Sequence, residues 1–211
     1  IKVNSVKSSI LQDDIGYVRI TNFQERTGSD LETVLKELQN QNVKALVLDL
    51  RNNPGGLLSS AVEVSELFLP EKKIIVSIQG RRPEDKKIYY SQKPPLWNKP
   101  VVILINGGSA SASEIVTGAL RDNFPTFKTV GLKTFGKGSV QNLIKLDEDG
   151  TSVKLTIAYY YTPSGTKIDG KGIEPDVKVE APEDMEIGTP EKDIQLKKAL
   201  EEVSKILTAN K

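Results

Sequence analysis

Short unbroken apolar runs alternate along this chain with stripes of apolar residues three or four apart, a pattern that predicts strands and helices in turn. Residues 43–50 (Val-Lys-Ala-Leu-Val-Leu-Asp-Leu) and 101–105 (Val-Val-Ile-Leu-Ile) are nearly continuous in apolar side chains, as expected of strands covered on both faces of a parallel sheet. Leu31, Val34, Leu35 and Leu38 fall on one face of a helix that Ser29 or Asp30 can cap. Further helices are predicted over residues 57–69 and 113–123, and strands over 74–78 and 152–161. Residues 1–23 read as two β-segments around Gln12-Asp13-Asp14, the second alternating over 15–20. Residues 81–99 read as a charged, proline-containing excursion. Thr189-Pro190 opens a last helix carrying Leu196, Ala199, Leu200, Val203 and Leu207 on one side. That stripe is expected to dock on the core, with a second subunit as the alternative. The alternation of strand, loop and helix favours an α/β layered core.

At 211 residues the chain can form one substantial core, or one domain with a small appendage. The expected division is a core over residues 1–185 and an amphipathic helical segment over 186–211. Against 28 acidic side chains stand 29 Lys and Arg, so no strong field would recruit nucleic acid or an anionic membrane. The longest apolar run, at 101–105, is too short to span a bilayer. Without cysteine the redox compartment is not readable. A start at Ile1 with no signal-like segment suggests a piece of something longer.

The chain has neither His nor Cys. A serine nucleophile would therefore need a base other than imidazole, and a lysine amine is the usual substitute. Gly107-Gly108-Ser109-Ala110-Ser111-Ala112-Ser113-Glu114-Ile115 lies between a buried strand and a helix. Its small residues let the chain turn sharply and set a hydroxyl beside the N–H groups of a helix N-terminus; the plainer reading is three capping serines. Lys137 follows in Thr134-Phe135-Gly136-Lys137-Gly138-Ser139-Val140-Gln141. A catalytic lysine must be neutral, and the flanking glycines are expected to let its amine be pressed into a buried site; the plainer reading is a solvated loop lysine. In an extended segment Gln141 shares a face with Lys137 and its amide oxygen can aim the amine.

Gly131 to Lys137 matches the phosphate-loop pattern up to its last position, but residue 138 is Gly where a Mg²⁺-binding hydroxyl is required. Residues 140–146 also alternate as a strand rather than continuing as a helix. In Arg51-Asn52-Asn53-Pro54-Gly55-Gly56, a Pro-Gly-Gly turn before a helix can point N–H groups outward toward an oxyanion, or serve as an ordinary connection. No carboxylate cluster has metal-ligand spacing, and a His-free chain discourages zinc. No cofactor or metal is expected.

Together, Leu48-Asp49-Leu50-Arg51-Asn52-Asn53-Pro54-Gly55-Gly56, Ser109-Ala110-Ser111-Ala112-Ser113-Glu114-Ile115 and the Thr134 to Gln141 stretch resemble the C-terminal processing peptidases, or tail-specific proteases. Tyr160-Tyr161-Thr162-Pro163-Ser164-Gly165 and Gly170-Lys171-Gly172-Ile173-Glu174-Pro175-Asp176 are similar to that family's pattern as well. The similarity runs over about residues 1–180. It implies a Clp-protease/crotonase-like layered α/β core with additional C-terminal strands and a terminal helix. It also implies Ser111 as nucleophile, Lys137 as general base and Gln141 orienting it. The backbone N–H groups of Gly56 and Ala112 would be the oxyanion donors.

The implied partner is a polypeptide substrate, held by its C-terminal tail, with homo-oligomers allowed and an extracytoplasmic location (periplasm, cell envelope or thylakoid lumen). Members usually carry a PDZ domain, whose glycine-rich carboxylate-binding loop is not found here. The loop 123–127 is slightly longer than is common between the two catalytic motifs. The competing readings are a non-catalytic ligand- or protein-binding module on the same core, and a regulatory subunit whose site assembles only in an oligomer.

Overall fold

A six-stranded sheet forms the floor of the fold, in the order β1-β2-β3-β6-β7-β10. Its strands are β1 (Val6–Leu11), β2 (Ile15–Ile20), β3 (Ala45–Asp49), β6 (Val101–Ile105), β7 (Lys128–Gly131) and β10 (Val177–Lys178). β1 pairs antiparallel with β2; every later pairing is parallel. A second, antiparallel sheet of four strands runs β5-β4-β9-β8, formed by β4 (Ile74–Gly80), β5 (Lys87–Tyr90), β8 (Ser139–Lys145) and β9 (Ser152–Tyr161). The helices are α1 (Thr27–Asn40), α2 (Leu58–Glu66), α3 (Ala112–Asn123) and α4 (Ile194–Ala209). This computed structural model describes residues 4–124, 126–146, 151–182 and 185–209. The first three residues of the expected opening β-segment, and Pro125 of the 123–127 loop, lie outside them.

The unbroken apolar runs divide by parity, as a strand's two-residue period requires. Leu46, Leu48, Val101, Ile103 and Ile105 face one side, packed with Leu31, Leu35 and Leu38 of α1, Ala61 and Val64 of α2, and Ile115, Val116 and Ala119 of α3. Ala45, Val47, Val102, Leu104 and Val130 face the other, where Leu196, Ala199, Leu200 and Val203 of α4 cover them. Both faces of the parallel strands are thus dry, and α4 forms the third layer on the side opposite α1, α2 and α3.

Several boundaries differ from the sequence expectation. α1 begins at Thr27, not after Ser29 or Asp30; the buried Thr27 hydroxyl anchors this start to the preceding chain, taking the Gln24 N–H at 2.9 Å and meeting Ser5 Oγ at 2.7 Å. Ser29 and Asp30 lie inside the first turn. α4 begins at Ile194: Thr189-Pro190 forms a preceding turn that accepts the Asp193 N–H at Thr189 O (2.8 Å), and Asp193 caps the helix through Leu196 N–H at 2.9 Å. The excursion 81–99 contains β5, Lys-Ile-Tyr-Tyr, which pairs with β4; its three strand-forming residues sit among charged neighbours that mask the signal. The short strands β7 and β10, of four and two residues, were equally silent.

Candidate active site

The loop after β3 and the turn after β6 emerge side by side, because those strands are parallel neighbours. Their contact is extensive. Asn53 O accepts the Ala110 N–H and the Ser113 hydroxyl, both at 3.0 Å, while Ser109 Oγ donates to Leu50 O at 2.8 Å. Asn53 also fixes its own loop: Nδ2 donates to Ile20 O at 2.8 Å and Oδ1 accepts the Gly55 N–H at 2.9 Å. Ser109 and Ser113 are therefore fully buried structural hydroxyls, whereas Ser111, between them, is only half-buried.

Ser111 itself sits at φ 55°, ψ −112°, a conformation that costs a non-glycine residue of order 1–3 kcal/mol and persists only when its surroundings enforce it. Here the enforcement comes from Glu114, three residues into the pattern Ser-x-x-Glu. Its fully buried carboxylate accepts the Ser111 N–H at Oε2 (2.9 Å), one arm of a capping box. The same carboxylate accepts Lys137 N–H at Oε2 (2.9 Å), Gly136 N–H at Oε1 (2.8 Å) and the Thr134 hydroxyl at Oε1 (2.6 Å). Charge-assisted bonds of this kind are the stronger ones. One buried side chain thus fastens the backbone of the Ser111 turn to that of the Lys137 segment.

Further bonds hold the Lys137 segment from the other side. Phe135 N–H donates to Ser109 O at 3.0 Å, and Gly170 N–H to Gly136 O at 2.9 Å. Thr134 Oγ1 takes the Ile173 N–H at 2.7 Å. Gly136 and Gly138 allow this close seating: a Cβ on Gly138 would lie 2.3 Å from Asp169 N, and one on Gly136 3.0 Å from Gly172 N. The glycines therefore press backbone against backbone. They do not bury the amine, as the sequence reading expected: the Lys137 side chain is exposed, and so is Gln141. No hydrogen bond joins the Lys137 amine to Ser111 or Gln141 among the described residues. The segment then runs into β8 rather than a helix, which leaves the phosphate-loop resemblance without its structural context.

Gly55 and Gly56 adopt φ 99° and 149°. A Cβ on Gly55 would lie 2.7 Å from Ala110 O and 2.9 Å from Ala112 N, so this strand-to-helix loop packs directly on the serine turn. Phe23 brackets Gly56, donating to Gly55 O and accepting from Leu57 N–H, both at 2.9 Å. Among the described residues the Gly56 N–H and the Ala112 N–H have no hydrogen-bond partner, the latter as a first-turn donor of α3. The sequence pattern points to Ser111, Lys137, Gln141, Gly56 and Ala112 but not to Glu114, Thr134 or Asn53. For Glu114 the signal was present as a capping box, yet the box pattern carries no hint of its long-range partners.

The chain matches the family model of peptidase family S41 over residues 14–179. It is 49% identical over 187 residues to the carboxy-terminal-processing protease of Bartonella bacilliformis, covering 86% of this chain and 42% of that protein. Against the carboxy-terminal processing protease CtpA of Bacillus subtilis the identity is 39% over 183 residues, covering 87% and 39%. The solved photosystem II D1 C-terminal processing protease superposes with a TM-score of 0.76 at 33% identity, over 85% of this chain and 49% of that one. The chain therefore spans less than half the length of these relatives. The layered core is of the Clp-protease/crotonase-like type, and the order of strands, loops and glycines around Ser111 is what the matched region contains. On this evidence the chain belongs to peptidase family S41.

Proposed function

We propose that this chain is the protease core of a serine endopeptidase that cleaves polypeptides near their C-terminus, with Ser111 and Lys137 as its dyad. The observation that carries the reading is the Glu114 carboxylate, which ties the backbone N–H groups of Ser111 and Lys137 to one another at 2.9 Å each. In the mechanism, the Lys137 amine takes the Ser111 hydroxyl proton as Oγ attacks the peptide carbonyl carbon. The oxyanion so formed accepts from the Gly56 and Ala112 N–H groups, each of which stabilises it by about 3–4 kcal/mol. The Lys137 ammonium then protonates the leaving amine as the C–N bond breaks. Water then gives a proton to Lys137 as its oxygen attacks the acyl carbon, and the ammonium returns that proton to Ser111 Oγ as the ester C–O bond breaks and the acid product leaves. Gln141 orients the amine through its side-chain oxygen.

The surroundings support an extended polypeptide as substrate. β8 starts two residues after Lys137 and is the outer strand of its sheet, so one backbone edge is open for pairing. Phe135 and Leu57, beside Lys137 and Gly56 in sequence, are 69% and 48% exposed and offer apolar contact. Relatives named as chloroplastic carboxyl-terminal-processing peptidases from Arabidopsis thaliana favour an extracytoplasmic or lumenal place of action. Among the described residues no helix is long and apolar enough to cross a membrane.

The exposed Lys137 amine is the observation that favours a second reading, a polypeptide-binding module without catalysis. A time course on an unstructured peptide, with products identified by mass spectrometry, separates the two. Cleavage near the C-terminus by the wild type, abolished in Ser111→Ala and Lys137→Ala, is the expected result. Binding without cleavage by the wild type would favour the module, and equal cleavage by either variant would defeat the dyad.

A further inference from the structure

Arg51 stands at the head of the Gly55-Gly56 loop, and its guanidinium is completely buried on the α4 side of the sheet. All of its N–H donors are spent. Nε and Nη2 donate to Asp49 at 3.0 and 2.6 Å, Nη1 and Nη2 to Asp193 at 2.8 and 2.6 Å, and Nη1 also to Gln195 Oε1 at 3.1 Å. Asp49 additionally takes the Tyr17 hydroxyl at 2.6 Å and the Arg51 N–H at 2.9 Å. Asp193 is the cap of α4, accepting Leu196 N–H and Gly188 N–H at 2.9 Å each. The cluster holds two carboxylates against one guanidinium; the Tyr17 hydroxyl and the N-terminal dipole of α4 offset the excess negative charge.

Asp193 and Gln195 lie beyond the family-matched residues 14–179, yet they grip an arginine inside the loop that carries Gly56. From Arg51 the chain passes through Asn52, at φ 56°, and the doubly anchored Asn53 to reach Gly55. Only four residues therefore separate a buried, fully bonded side chain from Gly56 and its N–H. We infer that Asp193 is a positioning residue: the head of α4, through Arg51, sets the aim of the Gly56 N–H toward the substrate carbonyl. This inference rests on the Ser111–Lys137 reading of the function. Removing the Asp193 charge leaves the guanidinium with one carboxylate in a site closed to water, and Arg51 must shift to recover its bonds. A displacement on the order of 1 Å suffices to cost about 100-fold in rate when it falls on a positioned group.

The test uses the full chain, a C-terminal peptide substrate and the variants Asp193→Asn and Leu200→Ala. Leu200→Ala loosens α4 from the sheet without touching Arg51, and so reports loss of stability alone. In Asp193→Asn, kcat is expected to fall at least tenfold with KM within twofold of wild type, and the Gly55 and Gly56 amide resonances to move in two-dimensional NMR. Leu200→Ala should lower the thermal midpoint and leave both readouts in place below it. Wild-type kcat in a folded Asp193→Asn, or the same kinetic and spectral changes in Leu200→Ala, overturns the inference. If Asp193→Asn does not fold, Gln195→Leu removes the weakest of the Arg51 acceptors; about a threefold fall in kcat with moved Gly55 and Gly56 amides is expected, and unchanged values overturn it. Should the wild type cleave nothing, the proposed function fails, and the amide comparison alone still decides whether α4 holds the loop.

Discussion

Gly55 lies so close to Ser111 that a Cβ on it would sit 2.8 Å from the Ser111 Cβ. With φ at 99°, the position is also one that L side chains rarely adopt. Gly55→Ala should therefore push the serine turn away from the loop. The expected result is a fall in kcat of about 100-fold, with the far-ultraviolet circular dichroism of the wild type. Unchanged peptide cleavage by a folded variant would refute the close seating of these two loops.

Glu114→Gln keeps the shape of the side chain but sets an N–H₂ group against donors. Four groups now point at that carboxylate: the N–H groups of Ser111, Gly136 and Lys137 and the Thr134 hydroxyl. A buried acceptor bonded by charge is worth roughly 1.5–3 kcal/mol per lost bond. Thermal denaturation should show a clear drop in midpoint, and peptide turnover, measured well below that midpoint, should fall at least tenfold. Activity and stability both at wild-type levels would mean that the two segments are held together by something else.

In the proposed mechanism the Lys137 amine takes the Ser111 proton in the transition state, a contribution of about 100- to 10,000-fold. Lys137→Ala should lower peptide cleavage by about that factor while keeping the thermal midpoint of the wild type. A folded variant that cleaves at the wild-type rate would assign the base elsewhere.

Phe135, at 69% exposure, should contribute to substrate capture and little to folding. Phe135→Ala is expected to raise KM by about tenfold or more, since burying such a ring yields about 1.5–3 kcal/mol, while the thermal midpoint moves by no more than about a degree or two. A lower kcat with unaltered KM would argue against an apolar contact there.

Two groups of the α4 clamp set opposite pH limits on stability. Burial alone would raise the Asp193 carboxyl, but the Arg51 bonds and the Gly188 and Leu196 N–H groups hold it below its ordinary value of 3.8. Its contribution is thus present above about pH 4 and is lost as the pH falls through the lower folded-state value. Tyr17 is shifted upward from 10.0, by burial first and by Asp49 second. The native state therefore favours the neutral phenol, and stability declines above about pH 10, where the unfolded chain can ionise it. Urea titrations across this range should give a plateau bounded on both sides, with the acid limb flattened in Asp193→Asn.

Much of the core could be read from the chain because its signals are local. The unbroken runs at 43–50 and 101–105 required two covered faces, and the parity of each strand decided which side chain faced which layer. The strands β7 and β10 were not legible, since segments of four and two residues pair only with neighbours far along the chain, while the Ile-Tyr-Tyr of β5 was hidden by the charged residues around it. The helix starts also differ from the local expectation: Thr27 is held by Ser5, 22 residues away, while α4 waits for Asp193, which caps it through the Leu196 N–H.

By itself the sequence determined the small-residue turn around Ser111, the Pro-Gly-Gly loop and the glycines flanking Lys137, because turn geometry follows from steric limits within a few residues. Only the tertiary structure decided that Glu114 joins Ser111 to Lys137, that the Lys137 amine is exposed rather than buried, and that Asp193 reaches back 142 positions to Arg51. Burial and ion pairing depend on which surfaces meet when the layers close, and no local spacing rule contains that information.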